Sequence, residues 1–245
     1  MNKDMLKTEN LNIGCERNIP EIYSELNVYF QPIFNLNSGK IYGYEALIGH
    51  KNINIRNLFE IAKDERSLFL LDFICRRNAI KKAAEYKIKD YLFINIYPEA
   101  LISPHYEQNL TDSFNFPKGK IILEIPESTI FEDYNTLVKI FYYKKLGYKI
   151  AIDDFGLGFS GLKLLKLLKP DIVKIDRQLI SNLEFNSMCR NFIDFIVSIS
   201  HEENILVLAE GIETLYQLET VVSCRVDLIQ GCYLAVPSEN IIDYD

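Results

Sequence analysis

The sequence lacks any run of the ~18 to 20 unbroken apolar residues that a membrane helix needs, which argues against direct insertion into a bilayer. Histidine is scarce, with only His50, His105 and His201, and none falls at a predicted strand end. Cysteine occurs at 15, 75, 189, 224 and 232, an odd number with irregular spacing and no CxxC pair. These absences disfavour a zinc site and a disulfide framework, and point to free thiols in the cytoplasm. Positive charge is in deficit: 27 Lys plus Arg stand against 34 Asp plus Glu, a net charge of −7. A nucleic-acid polymer wants a basic face, so that partner is disfavoured, while a small phosphate ligand held through metal ions is compatible. The opening MNKDMLKTENLN mixes charges and amides without the apolar core of a secretory signal. No linker rich in Gly, Pro or Ser, low-complexity tract or short repeat interrupts the body.

What is present is a globular composition, 48% hydrophobic and 25% charged over 245 residues, long enough for one α/β barrel or two smaller domains. Residues 1–20 are polar and aperiodic and read as a lead-in segment, with 21–245 as the folded body. Strands are predicted over 28–34, 41–48, 91–96, 120–125, 149–153, 171–176, 205–210 and 227–231. Most are rich in Ile, Val, Leu and Phe without alternation, as parallel strands covered on both faces are. The first two are separated by NLNSGK, a turn-like segment, and read as an antiparallel hairpin. Helices are predicted over 68–86, 134–146, 161–168, 190–201 and 215–222, the last started by Glu213-Thr214. Strands alternating with helices imply right-handed βαβ units, and about eight strands in roughly 220 residues fit a modified (β/α)8 barrel with an antiparallel opening hairpin.

Polar residues fall at the strand ends: Glu45, Asn95, Glu124, the pair Asp153-Asp154, Lys174 with Asp176, Glu210 and Gln230. In a parallel barrel those ends form one rim, where active sites sit. A lone acid after a strand is most often a helix cap or a solvated loop residue. Five acids on one rim, however, would repel one another unless cations sat among them. Hard divalent ions with oxygen ligands answer that need, and an all-oxygen set favours Mg²⁺ or Mn²⁺ over zinc. The adjacent Asp153 and Asp154 can both face the cavity if the chain turns there. One carboxylate bridging two metals ~3.5 to 4 Å apart suits phosphoryl hydrolysis. Lys174 supplies a fixed positive charge for a phosphate or an attacking water, or else pairs with a barrel acid. The following FGLGFSG reads as a loop closing over the site, with Gly156 and Gly158 providing its tight turns.

With these residues assembled, the chain resembles the EAL domain family of cyclic di-GMP phosphodiesterases. The resemblance rests on Glu45-Ala46-Leu47, YFQPIF at 29–34, LEIPES at 123–128, IDDFGLGFSGL at 152–162, VKIDRQLI at 173–180, LAEGIET at 208–214 and IQGCYLAVP at 229–237. It implies a modified barrel, often dimeric, that linearises cyclic di-GMP to pGpG with two Mg²⁺ or Mn²⁺ ions. By motif, Glu45, Asn95, Glu124 and Asp153 would hold one metal, and Asp153, Asp154 and Glu210 would serve the second. Lys174 would orient the nucleophilic water, and Glu210 or a metal-bound hydroxide would act as base. Glu213 would anchor the FGLGFSG loop, and Gln31, Leu47 and Gln230 would contact substrate or its water network. The sequence departs from the family at Gly49, where an Arg usually contacts a substrate phosphate, and at Tyr97, Leu157, Gly161 and Val236. His50 or Lys51 stands nearest in sequence to take over from that Arg. The alternative reading is a degenerate EAL domain that senses cyclic di-GMP or binds a partner protein.

Overall fold

The computed structural model describes residues 21–64, 67–97, 101, 114–130, 134–156 and 161–241. The expected lead-in over 1–20 and the loop stretch 157–160 lie outside the described residues. Eight strands close a barrel in chain order: β1 (Leu26–Asn35), β2 (Ile41–His50), β3 (Tyr91–Asn95), β4 (Ile121–Pro126), β5 (Lys149–Phe155), β6 (Ile172–Ile175), β7 (Leu206–Ala209) and β8 (Leu228–Ile229). β2 to β8 run parallel, and β1 is antiparallel to both its neighbours. The described helices are α1 (Ile55–Asp64), α2 (Leu68–Glu85), α3 (Glu127–Ile130), α4 (Tyr134–Lys145), α5 (Gly161–Leu168), α6 (Arg177–Ser181), α7 (Ser187–Glu202) and α8 (Leu215–Ser223). The architecture is the one expected, a barrel whose first strand is reversed by a hairpin.

Local chemistry sets the turns. In the hairpin the Ser38 N–H donates to Asn35 Oδ1 at 2.9 Å and the Gly39 N–H to the Asn35 carbonyl at 2.9 Å. Gly39 sits at φ +68°, a left-handed turn that a side chain would strain. Thr214 caps α8 through a full capping box with Gln217. Asn186 caps α7, which begins at Ser187, three residues before the expected start at 190. The sequence reading passed over α1, although Asn54 caps it by accepting the Arg56 N–H at 2.9 Å. Asp171 and Asp227, expected inside strands, instead precede β6 and β8. They accept the backbone N–H of Ile150 (2.9 Å) and Val207 (2.8 Å), stitching neighbouring strands together at the barrel floor.

Besides a smaller cluster of Tyr23, Leu26, Leu58, Leu71 and Ile74 around α1 and α2, the core has two compartments. One lies between strands and helices, where residues such as Ile94, Leu123, Ile152, Val173 and Val207 are buried. The other fills the barrel: Ile33, Phe93, Ile122, Ala151, Ile172, Leu208 and Leu228 form an apolar plug. Side chains two residues apart on a strand share a face. Two positions toward the mouth from the plug therefore come Gln31 (β1 reversed), Asn95, Glu124, Asp153, Lys174, Glu210 and Gln230. β2 adds Glu45 two residues beyond Gly43, whose missing side chain leaves room for the Phe93 ring and the Tyr91 carbonyl. A polar layer thus rests directly on an apolar one.

Candidate active site

Lys174 is the centre of that polar layer. It is 1% exposed, among the largest fully buried side chains, and its ammonium meets four carboxylates. Nζ pairs with Glu124 Oε1 and lies 2.6 Å from Glu210 Oε1, 3.1 Å from Asp153 Oδ1 and 3.9 Å from Glu45 Oε1. Burial alone would pull the ammonium down, but Asp153, Glu124, Glu210 and Glu45 outweigh it and hold Lys174 well above the usual lysine range. Glu124 is pushed well above the carboxylate range, first by burial and then by repulsion from Glu45, Asp153 and Glu210, with Lys174 opposing. Glu210 moves the same way for the same leading reason, desolvation.

Amides brace the cage. Gln230 Nε2 donates to Glu45 Oε2 at 2.6 Å and to Gln31 Oε1 at 3.0 Å, and Gln31 Nε2 donates to the Ala235 carbonyl at 3.0 Å. Asn95 Nδ2 donates to Glu45 Oε1 at 3.1 Å. β5 bulges between Ile152 and Phe155, with Asp154 at φ +53°; Asp153 meets Lys174, while Asp154 is exposed and faces Asp176. Burial, Asp153 and a hydrogen bond with Asp176 raise the Asp154 carboxyl to about 6.

The donor set fits hard cations. Oxygens of Glu45, Glu124 and Glu210 lie within 4.8 Å of one another. Glu124 Oε2 is buried without a hydrogen-bond donor, an acceptor left over after Lys174 is counted. All-oxygen donors of this kind suit Mg²⁺ or Mn²⁺. Of the expected site residues, Glu45, Asn95, Glu124, Asp153 and Glu210 gather around the expected Lys174, with Asp154 next to Asp153 at the strand end.

Other expected site residues fall around it. Leu47 lines a cavity beside the cage. Glu213 is exposed at the start of α8, and the loop it was expected to hold lies outside the described residues at 157–160. The side chain that holds the described beginning of that loop is one the sequence reading missed. Buried Glu127 accepts the Gly156 N–H on Oε2 at 2.9 Å. Its signal was present, an acid three residues after Glu124 opening a helix. His50 is committed elsewhere: its Nε2 meets the Ile22 carbonyl at 2.9 Å and its Nδ1 accepts the Asn52 N–H at 3.1 Å.

A family model described as EAL domain matches residues 18–237. The chain belongs to the EAL domain family. A standalone EAL protein from Vibrio cholerae, solved in its c-di-GMP bound form, is 32% identical with a TM-score of 0.78, over 89% of this chain and 94% of that one. The BlrP1 manganese and cyclic di-GMP complex from Klebsiella pneumoniae is 26% identical with a TM-score of 0.80, over 87% of this chain and 56% of that one. The probable cyclic di-GMP phosphodiesterase PdeG of Escherichia coli is 26% identical over 87% of this chain and 45% of its own length. This EAL domain spans from a quarter to under half the length of the curated relatives it matches. No helix among the described residues is long and apolar enough to cross a membrane.

Proposed function

We propose that this EAL domain hydrolyses cyclic di-GMP to linear pGpG, with two Mg²⁺ or Mn²⁺ ions held by Glu45, Asn95, Glu124, Asp153, Asp154 and Glu210. The observation that carries the reading is the cage itself: four carboxylates around one buried ammonium, with Glu124 Oε2 still lacking a donor. A barrel without catalytic duty has little reason to bury so many acids. Bound there, the ions would polarise the phosphodiester and make water a better nucleophile. Lys174 is fixed on the apolar plug and can direct an N–H at the attacking water or a phosphate oxygen. Glu210, whose Oε1 lies 2.6 Å from Lys174 Nζ, or a metal-bound hydroxide would take the proton of that water. The water oxygen bonds to phosphorus, the bond from phosphorus to the 3′ oxygen breaks, and that oxygen leaves as a hydroxyl by taking up a proton from solvent, balancing the one removed from the attacking water. Gln31, Leu47 and Gln230 border the substrate, and Glu213 steadies the loop after Gly156 together with Glu127.

The reading extends to a cytoplasmic homodimer, with 1–20 as a lead-in to the barrel. Cys75, Cys189, Cys224 and Cys232 are free thiols, as a reducing compartment favours. Phe185 (85% exposed) and Met188 (74%) at the start of α7 offer apolar surface for self-association.

Purified protein incubated with cyclic di-GMP and Mg²⁺ or Mn²⁺ is expected to release pGpG, followed by chromatography. Absence of product with both metals at high enzyme concentration rejects the proposal. Glu45→Ala should lower turnover at least ~100-fold, since several kcal/mol of charge stabilisation go with the metal, and should abolish Mn²⁺ binding while circular dichroism stays unchanged. The sensor reading draws on Gly49 in place of the family's Arg. It predicts tight binding without conversion in the same assay.

A further inference from the structure

The outward face of α4 and α5 takes no part in the cage. On α4, Val138, Phe141, Tyr142 and Leu146 (just past the helix end) recur at the spacing of one helical face and are between 37% and 48% exposed. A helix on a barrel normally turns its apolar stripe to the core. α4 does so with Ile140 and Tyr143, and carries this second stripe to the outside. On α5, Leu162 and Leu167 are exposed as well. The charge among these residues is of one sign. α4 and α5 contain Lys139, Lys144, Lys145, Lys163 and Lys166 and not one Asp or Glu, in a chain of net charge −7. Lys145 falls inside the apolar stripe, one turn on from Phe141. Lys139 Nζ stands 5.8 Å over the Tyr142 ring. Lys144 Nζ donates to the Leu168 carbonyl at 2.9 Å and the Lys169 carbonyl at 2.5 Å, which holds the ends of the two helices side by side. The acids Asp171 and Glu203 near that end already face Lys149 (3.1 Å) and Lys169 (2.8 Å).

Whatever covers this face must match both chemistries. A second copy joined about a twofold axis would set the patch against itself, lysine against lysine, and like charges would repel. A docked peptide segment needs a groove, yet these residues line neither the cavity beside the cage nor the smaller polar one between β1 and α2. A nucleic-acid polymer would meet the lysines and leave the aliphatic side chains wet. An anionic bilayer offers negative headgroups and hydrocarbon in successive layers, as basic amphipathic surfaces require. Lysine stems can lie along the apolar side chains while their ammonium groups stay among the headgroups.

We infer that the α4–α5 face docks on the surface of an anionic phospholipid bilayer, with Val138, Phe141 and Leu146 entering below the headgroups and Lys145 and Lys166 pairing with lipid phosphates. The contact is peripheral, since no helix among the described residues is long and apolar enough to cross a membrane. α4 and α5 lie on the flank of the barrel, so docking leaves the acid-lined mouth open to water. The inference stands apart from the phosphodiesterase reading and holds for a catalytic or a binding-only barrel.

Flotation of the purified protein with phosphatidylcholine vesicles, with and without phosphatidylglycerol, tests it at low and high salt. Wild type is expected to float with the phosphatidylglycerol vesicles, to stay behind with phosphatidylcholine alone, and to bind less as salt rises. The double variant Lys145→Gln/Lys166→Gln should partition about 25-fold more weakly, about 5-fold per lysine. Phe141→Ser should also bind more weakly but keep the wild-type salt dependence, which separates apolar insertion from charge. The lysine variant changes only exposed side chains, so it decides the matter even if Phe141→Ser fails to fold. Wild type that does not float with phosphatidylglycerol vesicles, or floats equally with phosphatidylcholine alone, overturns the inference. So does a lysine variant that floats like wild type. A folded Phe141→Ser protein that falls from dimer to monomer by light scattering assigns the face to self-association and overturns it too.

Discussion

At the scale of residues, Lys174 is a buried ammonium facing four carboxylates. A buried ammonium among four acids is stable only because each side offsets the other's desolvation. Lys174→Met keeps the length and removes the charge. It should destabilise the metal-free protein by about 3–5 kcal/mol, read by urea unfolding in EDTA. Mn²⁺ should recover more of the melting temperature in the variant than in wild type, because it supplies the missing positive charge. Equal stability of variant and wild type in EDTA would contradict the cage. Most of its members were legible in the sequence because each stands at the end of an Ile-, Val- or Leu-rich run. Glu127 and the Tyr29–Gly49 contact were not. The first looks like an ordinary acid at a helix start. The second is a diagonal between two strands, set by a register that the order of residues does not display.

Among the elements, strand ends decide whether the polar layer forms. The barrel order and hairpin were readable from apolar runs and the NLNSGK turn, whereas strand limits were less so. β8 holds only Leu228–Ile229 against an expected span to 231. The reason lies in Gly231, where the chain runs flush against the Ile212 backbone, so that a Cβ would overlap Ile212 atoms. The Gln230 carbonyl accepts the Ile212 N–H at 3.1 Å, locking the segment after β7 to the segment after β8. Gly231→Ala must push two backbones apart and should cost about 1–3 kcal/mol or more. A drop in urea midpoint with an unchanged slope would show it, and a midpoint equal to wild type would refute the close approach. α1 escaped the sequence reading because its cap, Asn54, sits in a short polar stretch that resembles a loop, although Leu58 and Ala62 one turn apart are both fully buried.

For the whole molecule, the acid layer couples stability to pH and to metal. Glu124 and Glu210 are raised, so the folded state keeps protons that the unfolded chain has released. Their contribution is full below the ordinary carboxylate range and is lost as pH rises through the raised values. Lys174, also raised, adds stability that is lost only at alkaline pH. Metal ions compete with the carboxyl protons, so the rise in melting temperature on adding Mn²⁺ should be larger at pH 8 than at pH 5. Calorimetric scans at both values check this. A metal shift independent of pH would indicate binding away from Glu124 and Glu210.

The reversal of β1 has one more consequence. Leu26, where the first strand begins, pairs with His50 at the finish of the second. In a barrel whose strands all point the same way, the polypeptide arrives from underneath; here it arrives from above, beside the acid-lined opening. The first strand therefore starts at the rim that carries the acids, the end opposite the floor where Asp171 and Asp227 tie the strands.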